Sequence, residues 1–224
     1  MNLVYLMGGI GRRAQLGYPK QYYKINGKHL FLFGLEVFCQ IDEIDNIVIP
    51  SAPDKHNYII NILKNYNLYD KKKIQFVENG KTRQQSVYNG LKKVSSEYVL
   101  IGEAVRPFIN KEFVREIIET EGNFITPIEP MKSTVIDIFS NIYHRDTIGP
   151  VQMPQKFLTE LLITAHELSI KYCPEHEFTD DSSIVIDMIS EPVKTLKGLE
   201  ENIKVTTPLD ILITKAMLNN SEDE

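Results

Sequence analysis

Five cations and one acid stand in loop-forming stretches of this chain: Arg13, Lys20, Arg83, Arg106 and Lys204, with Glu103. Four stretches carry them. The first is Gly8-Gly9-Ile10-Gly11, running through Arg12-Arg13 to Pro19-Lys20-Gln21. The second is Asn79-Gly80 ahead of Lys81, Arg83 and Ser86. The third is Gly102-Glu103-Ala104-Val105-Arg106-Pro107, and the fourth Asn202-Ile203-Lys204. Glycine bends freely and lets a ligand come close to the main chain. Exposed backbone N–H groups with cations downstream suit a polyphosphate. Several cations around a single carboxylate fit a triphosphate and a divalent metal better than a neutral substrate. Plainer readings stand beside these. The first stretch is also an ordinary strand-to-loop turn, Arg106 a loop brace, and Lys204 an edge charge.

The elements that must position these residues follow from periodicity and turn signals. Residues 3–7 form a short apolar run ended by glycines, which predicts a buried strand feeding a tight loop. Helices are predicted over 30–41, 56–66 and 81–94, with strands over 46–49, 74–77 and 98–101. Asn110 is placed to cap a helix over 111–120. Strands are expected at 124–127, 133–139, 193–196 and 203–205, and helices at 156–172, 180–189 and 208–218. In the last of these, proline sits in the first turn, where its missing N–H costs nothing. The alternation predicts an α/β fold, a mostly parallel sheet flanked by helices with ligands at the carboxyl ends of the strands. Two strand-like segments in succession break the pattern and predict a β-arm at about 127–149, a candidate dimer contact. No repeat or compositional step divides the chain, so a single domain over 1–224 is expected.

The 224 residues allow one sizeable core. Net charge is −5, so nothing global points to nucleic acid, and an anionic substrate needs a local basic cluster. No apolar stretch reaches the roughly 18 residues of a membrane span, and no secretory signal is seen. Cys39 and Cys173 lack metal-ligand spacing, which makes a reducing cytoplasm the expectation. His29, His56, His144, His166 and His176 show no paired spacing and read as surface or packing residues.

In these motifs the chain resembles the cytidylyltransferases that make CDP-methylerythritol in the isoprenoid pathway, and their relatives that make CDP-ribitol. Met7-Gly8-Gly9-Ile10-Gly11-Arg12-Arg13 and Pro19-Lys20-Gln21-Tyr22 together match the opening block. Residues 82–91 match Thr/Glu-Arg-Gln-Gln-Ser-Val-x-Asn-Gly-Leu almost letter for letter. Gly102-Glu103-Ala104-Val105-Arg106-Pro107 stands for His-Asp-Ala-Ala-Arg-Pro, and Gln152-Met153-Pro154-Gln155-Lys156-Phe157 for Gln-Thr-Pro-Gln-x-Phe. Thr179-Asp180-Asp181-Ser182 and Asn202-Ile203-Lys204-Val205-Thr206 match the last two blocks. Six blocks in order are specific.

The resemblance implies a Rossmann-like fold of the nucleotidyltransferase type. The implied reaction is attack of a polyol phosphate on the α-phosphorus of CTP, with release of pyrophosphate and help from Mg²⁺. By position, Arg13, Lys20 and Lys204 would neutralise the transition state. Met7, Gly8, Gly9, Gly11, Asn79, Gly80, Arg83, Ser86 and Ala104 would hold CTP. Thr134, Arg145, Thr179 and Asp180 would contact the polyol phosphate, and Glu103 would take the metal. A homodimer is implied. Four departures fall mostly on the metal and acceptor side: Glu103 for aspartate, Gly102 for histidine, Met153 for threonine and Ser133 for aspartate. Methylerythritol 4-phosphate is the first expectation for the acceptor. Ribitol 5-phosphate or another alditol phosphate is the alternative, and a nucleotide-binding homologue without catalysis is a further one.

Overall fold

The computed structural model describes residues 1–9, 14 and 16–220. Strand β1 (Asn2–Leu6) lies mid-sheet, with strands on both edges and side chains covered on both faces. A strand in that setting reads as an unbroken apolar run. A small hairpin follows, β2 (Lys24–Ile25) and β3 (Lys28–His29). Its two turn residues, Asn26 and Gly27, both have positive φ, as a tight two-residue hairpin turn requires. Next come α1 (Leu30–Cys39), β4 (Asn46–Ser51), α2 (His56–Asn65), β5 (Lys73–Glu78), α3 (Arg83–Leu91) and β6 (Tyr98–Glu103). Then follow α4 (Lys111–Glu119), β7 (Phe124–Ile128), the short strands β8 (Val135–Ile136) and β9 (Ile142–Tyr143), and β10 (Gln155–Leu158). The chain closes with α5 (Thr159–Tyr172), α6 (Asp181–Ile189), β11 (Lys194–Lys197) and α7 (Pro208–Asn220).

Among the described residues the main sheet has seven strands, in the order β11-β7-β10-β6-β1-β4-β5. All its pairings are parallel except those of β10 with β6 and β7. Alternate residues feed two layers. Leu3, Tyr5, Ile47, Ile49 and Leu100 pack toward α1, α2 and α4, while Val4, Val48, Val99 and Ile101 pack toward α3, α5 and α6. The chain passes from β1 to β4 and β5 on one side, then crosses to β6 on the other. Strands β1 and β6 therefore flank the point where strand order reverses, the place where such sheets bind ligands.

Three expectations are corrected. Residues 155–158 are the antiparallel strand β10, so the long helix starts at Thr159 rather than at residue 156. Four residues are too few for periodicity to separate the two forms. The strand is fixed instead by tertiary contacts. Phe157 stacks on Phe124 at 5.0 Å, and buried Lys156 donates to the carbonyls of Ile118 and Thr120. Residues 203–205 are irregular rather than a strand; Val205 donates to the carbonyl of Val105, and Ile203 makes only a local bond to Glu201. Only two residues of the expected strand 133–139 pair, in the β8–β9 hairpin. Asp137 supplies the turn there by accepting from the backbone N–H of Phe139 and of Asn141. The base of this arm is closed by the bridge between Ile128 and Val151. Ile138 and Phe139 near its tip are 92% and 80% exposed.

Candidate active site

The register of the central strands brings the distant loop stretches together. Leu6 at the end of β1 pairs with Glu103 at the end of β6. Ser51 at the end of β4 pairs with Glu78 at the end of β5. The residues that continue β1 and β5 stay bound to β4. Met7 donates to the carbonyl of Pro50, and Asn79 to that of Ser51. Gly8 and Asn79 are in close contact as a result, and a Cβ on Gly8 would lie 2.6 Å from Asn79 Cβ. Gly80 is equally constrained, because a Cβ there would lie 2.4 Å from Gln85 Cβ.

Local hydrogen bonds fix these loops. Buried Gln21 donates from Nε2 to the carbonyls of Met7 and Gly9, at 2.5 and 2.9 Å. Thr82 caps α3 by accepting from the Gln85 N–H, and Gln85 Oε1 accepts from the Lys81 N–H, close to a capping box. The Ser86 hydroxyl accepts from the Gly80 N–H and donates to the Thr82 carbonyl. Thus Ser86 holds the loop 79–82 in shape.

Two clefts open at this edge. The first, of about 650 Å³, is lined by Gly8, Gly9, Lys20, Asn79, Gly80, Arg83 and Ser86, among others. The second, of about 580 Å³, is lined by residues that include Arg106, Glu129, Met153, Thr179 and Asp180. Glu103 and Lys204 line both. The Lys204 ammonium donates to Glu103 Oε1 at 2.7 Å. Arg83 Nε lies 3.6 Å from the same oxygen, and Arg106 Nε donates to Oε2 at 3.2 Å. Burial by itself raises the Glu103 carboxyl pKa. Lys204, then Arg83 and Arg106, outweigh it and bring the value to about 2, so the group is a carboxylate. Arg106 also donates to the Asn202 carbonyl, and Asn202 donates to that of Met153, which ties the third and fourth loop stretches together.

Most of the residues singled out in the sequence therefore share one edge of the sheet. Met7 and Ala104 are buried behind it and line neither cleft. Thr134 and Arg145 also line neither. Both lie on the exposed arm, with Arg145 Nε 3.9 Å from Asp146. Gly11 and Arg13 lie outside the described residues. Sequence reasoning gave Gln21 no role, although it stands in the Pro-Lys-Gln block. It also read Asp180-Asp181 only as a cap or a substrate contact. Asp180 does cap α6, accepting from the Ser183 N–H, while Asp181 is buried against Arg83. No spacing rule links Asp181 to Arg83, because they are joined only through the sheet.

Among the described residues no group of three or more His, Cys, Asp or Glu side chains gathers to hold a metal. A magnesium ion, however, commonly takes only one or two carboxylates and completes its shell with substrate phosphates and water. Glu103, a lone buried carboxylate on the wall of both clefts, fits an ion that arrives with a triphosphate and displaces one of the cations now on its two oxygens. It does not fit a resident all-protein site. No helix among the described residues is long and apolar enough to cross a membrane.

Comparison with known proteins finds relatives along nearly the whole chain. A family model described as IspD, 2-C-methyl-D-erythritol 4-phosphate cytidylyltransferase, matches residues 1–220. The chain is 33% identical to a chloroplastic 2-C-methyl-D-erythritol 4-phosphate cytidylyltransferase of Oryza sativa subsp. japonica, over 98% of this chain and 74% of the relative. It is 29% identical to a ribitol-5-phosphate cytidylyltransferase of Vibrio parahaemolyticus, over 96% of this chain and 94% of the relative. Its fold is similar to the crystal structure of 4-diphosphocytidyl-2C-methyl-D-erythritol synthase from Anaerococcus prevotii, with a TM-score of 0.83. The two are 29% identical, over 97% of this chain and 95% of the other.

Proposed function

The chain belongs to the IspD family of cytidylyltransferases, and on that premise we propose that it joins CMP from CTP to 2-C-methyl-D-erythritol 4-phosphate, a step toward isoprenoids. The observation that carries this reading is the shared wall. Glu103 and Lys204 stand between a cleft lined by the glycine loop and one lined by Thr179 and Asp180. CTP would occupy the first and the polyol phosphate the second.

An oxygen of the acceptor phosphate bonds to the α-phosphorus, and the bond from that phosphorus to the bridging oxygen breaks, releasing pyrophosphate. Two anions must approach each other, so fixed cations lower the barrier most. Lys204 lies on the shared wall, and Lys20 in the nucleotide cleft. Arg13 is assigned to the same task by its motif alone. Gly8, Gly9 and Gly11 would bind phosphates through backbone contacts. Asn79, Gly80, Arg83 and Ser86 would line the base and ribose, with Met7 and Ala104 packed behind the cleft rather than touching the nucleotide. Mg²⁺ would be held by Glu103 and the nucleotide phosphates, and would offset charge on the leaving pyrophosphate.

Thr134 and Arg145 cannot serve their own cleft from the arm, but in a homodimer the arm of one copy would bring them to the other. The exposed Ile138 and Phe139 support that assembly. A cytoplasmic location is part of the same reading and rests on the two unpaired cysteines.

Ribitol 5-phosphate is the alternative acceptor, favoured by Gly8-Gly9 and Val105-Arg106-Pro107-Phe108, which look closer to the ribitol branch of the family. Pyrophosphate release with CTP and a panel of polyol phosphates separates the two. The highest kcat/KM is expected with 2-C-methyl-D-erythritol 4-phosphate. A higher value with ribitol 5-phosphate would reassign the acceptor.

A further inference from the structure

Behind the nucleotide cleft, three charged or ionisable side chains from three helices meet in the core. Arg83 opens α3, Asp181 opens α6, and His166 lies on α5. Arg83 Nη2 donates to Asp181 Oδ2 at 2.7 Å. His166 Nε2 lies 3.3 Å from the other oxygen, Oδ1, a close polar contact without hydrogen-bond geometry. Both Asp181 and His166 are fully buried. The His166 ring is also stacked on Tyr88 of α3, at 5.9 Å and 20°. The first turn of α6 is fixed in turn by Gln155, which donates to Asp180 Oδ2 and to the Ser182 hydroxyl.

A structural role alone explains this group poorly. A fully buried carboxylate forfeits its hydration, and apolar residues of similar volume often stabilise as well or better. What the charge supplies is direction. A guanidinium gripped on one side by Asp181 and faced on the other by Glu103 has one orientation. Its Nε and Nη1 are buried without a hydrogen-bond partner among the described residues, and Arg83 lines the nucleotide cleft. Buried donors of this kind need an acceptor, and a nucleotide supplies one.

We propose that Asp181, braced by His166, is a positioning residue that sets the orientation of Arg83 for binding CTP. The inference rests on the nucleotide reading of that cleft. Burial pushes the Asp181 carboxyl pKa up, and Arg83 and His166 more than reverse this, to about 2, so the brace is charged at neutral pH.

Calorimetric titration of the full chain with CTP tests the proposal and needs no acceptor. Asp181→Asn, Arg83→Gln and the double variant are compared with wild type, with thermal melts as a folding control. Each single variant is expected to weaken CTP binding about 10- to 100-fold. The double variant should bind no more weakly than Arg83→Gln, because Asp181 acts only through Arg83. His166→Phe keeps the ring on Tyr88, removes the nitrogen facing Asp181, and should weaken binding about threefold or more. It carries the test alone if Asp181→Asn does not fold. CTP affinity within about twofold of wild type in Asp181→Asn, or in His166→Phe where that stands alone, would overturn the proposal, as would losses that simply add. A folded wild-type chain that binds no CTP would overturn the nucleotide reading itself, and this inference with it.

Discussion

Glu103, itself nearly buried, has its charge balanced by Lys204, Arg83 and Arg106. Removing only the negative partner leaves three crowded cations, and breaking a buried pair in this way costs about 3–5 kcal/mol. Glu103→Gln should therefore lower stability by that order in chemical denaturation, and an unchanged midpoint would contradict the pairing described. The same residue shows how far a motif can be read. Its place in Gly-Glu-Ala-Val-Arg-Pro marked it as the acid of the site. That three cations would converge on it required the fold to bring the start of α3 and the segment 202–205 beside the end of β6. Asp181 was harder still to read. In the sequence it looks like a second capping residue beside Asp180, and only the placement of α3, α5 and α6 on one face of the sheet brings it to Arg83.

At the scale of elements, the described part of the glycine loop after β1 is held by the side chain of Gln21. Gln21 grips two of its carbonyls from a buried position. Loss of both bonds in Gln21→Ala should raise the KM for CTP by about tenfold, with the KM for the acceptor changed less. Equal changes in both would argue that the loop serves the whole site. The arm is the other separable element. If it forms a dimer, Ile138→Asp with Phe139→Asp should give a monomer in sedimentation velocity, and it should raise the acceptor KM while sparing CTP binding. An unchanged assembly would remove the arm from that role. The loop was legible because a buried strand ending in glycines leaves few alternatives. The hairpin of the arm was visible only as two strand-like segments, because short exposed strands carry little period. Strand β10 was hidden in what reads as a helix, and Phe124 and the backbone carbonyls of Ile118 and Thr120, all distant in sequence, decide the matter.

For the whole molecule, the sheet places four loop stretches at one edge and two buried carboxylates within reach of the same arginine. Glu103 and Asp181 both titrate near 2 in the fold, below ordinary values of 4.5 and 3.8. A carboxyl whose folded pKa is depressed adds stability that is complete above its unfolded value and is lost as pH falls toward the folded one. Stability should therefore fall by on the order of a few kcal/mol between about pH 4.5 and pH 2. Glu103→Gln should show a shallower slope in that window, and equal slopes would contradict the assignment. The fold class and the convergence of loops were legible from alternation alone, since a parallel sheet puts its ligand at the carboxyl ends. The shared wall between two clefts was not, because Lys204 comes from an irregular segment that reads as a strand. That wall is the centre of the account, and Lys204→Ala tests it most directly. With CTP and the best acceptor of the panel, turnover measured by pyrophosphate release should fall by about 10²–10³, while CTP binding persists. Near-normal turnover in that variant would contradict the account.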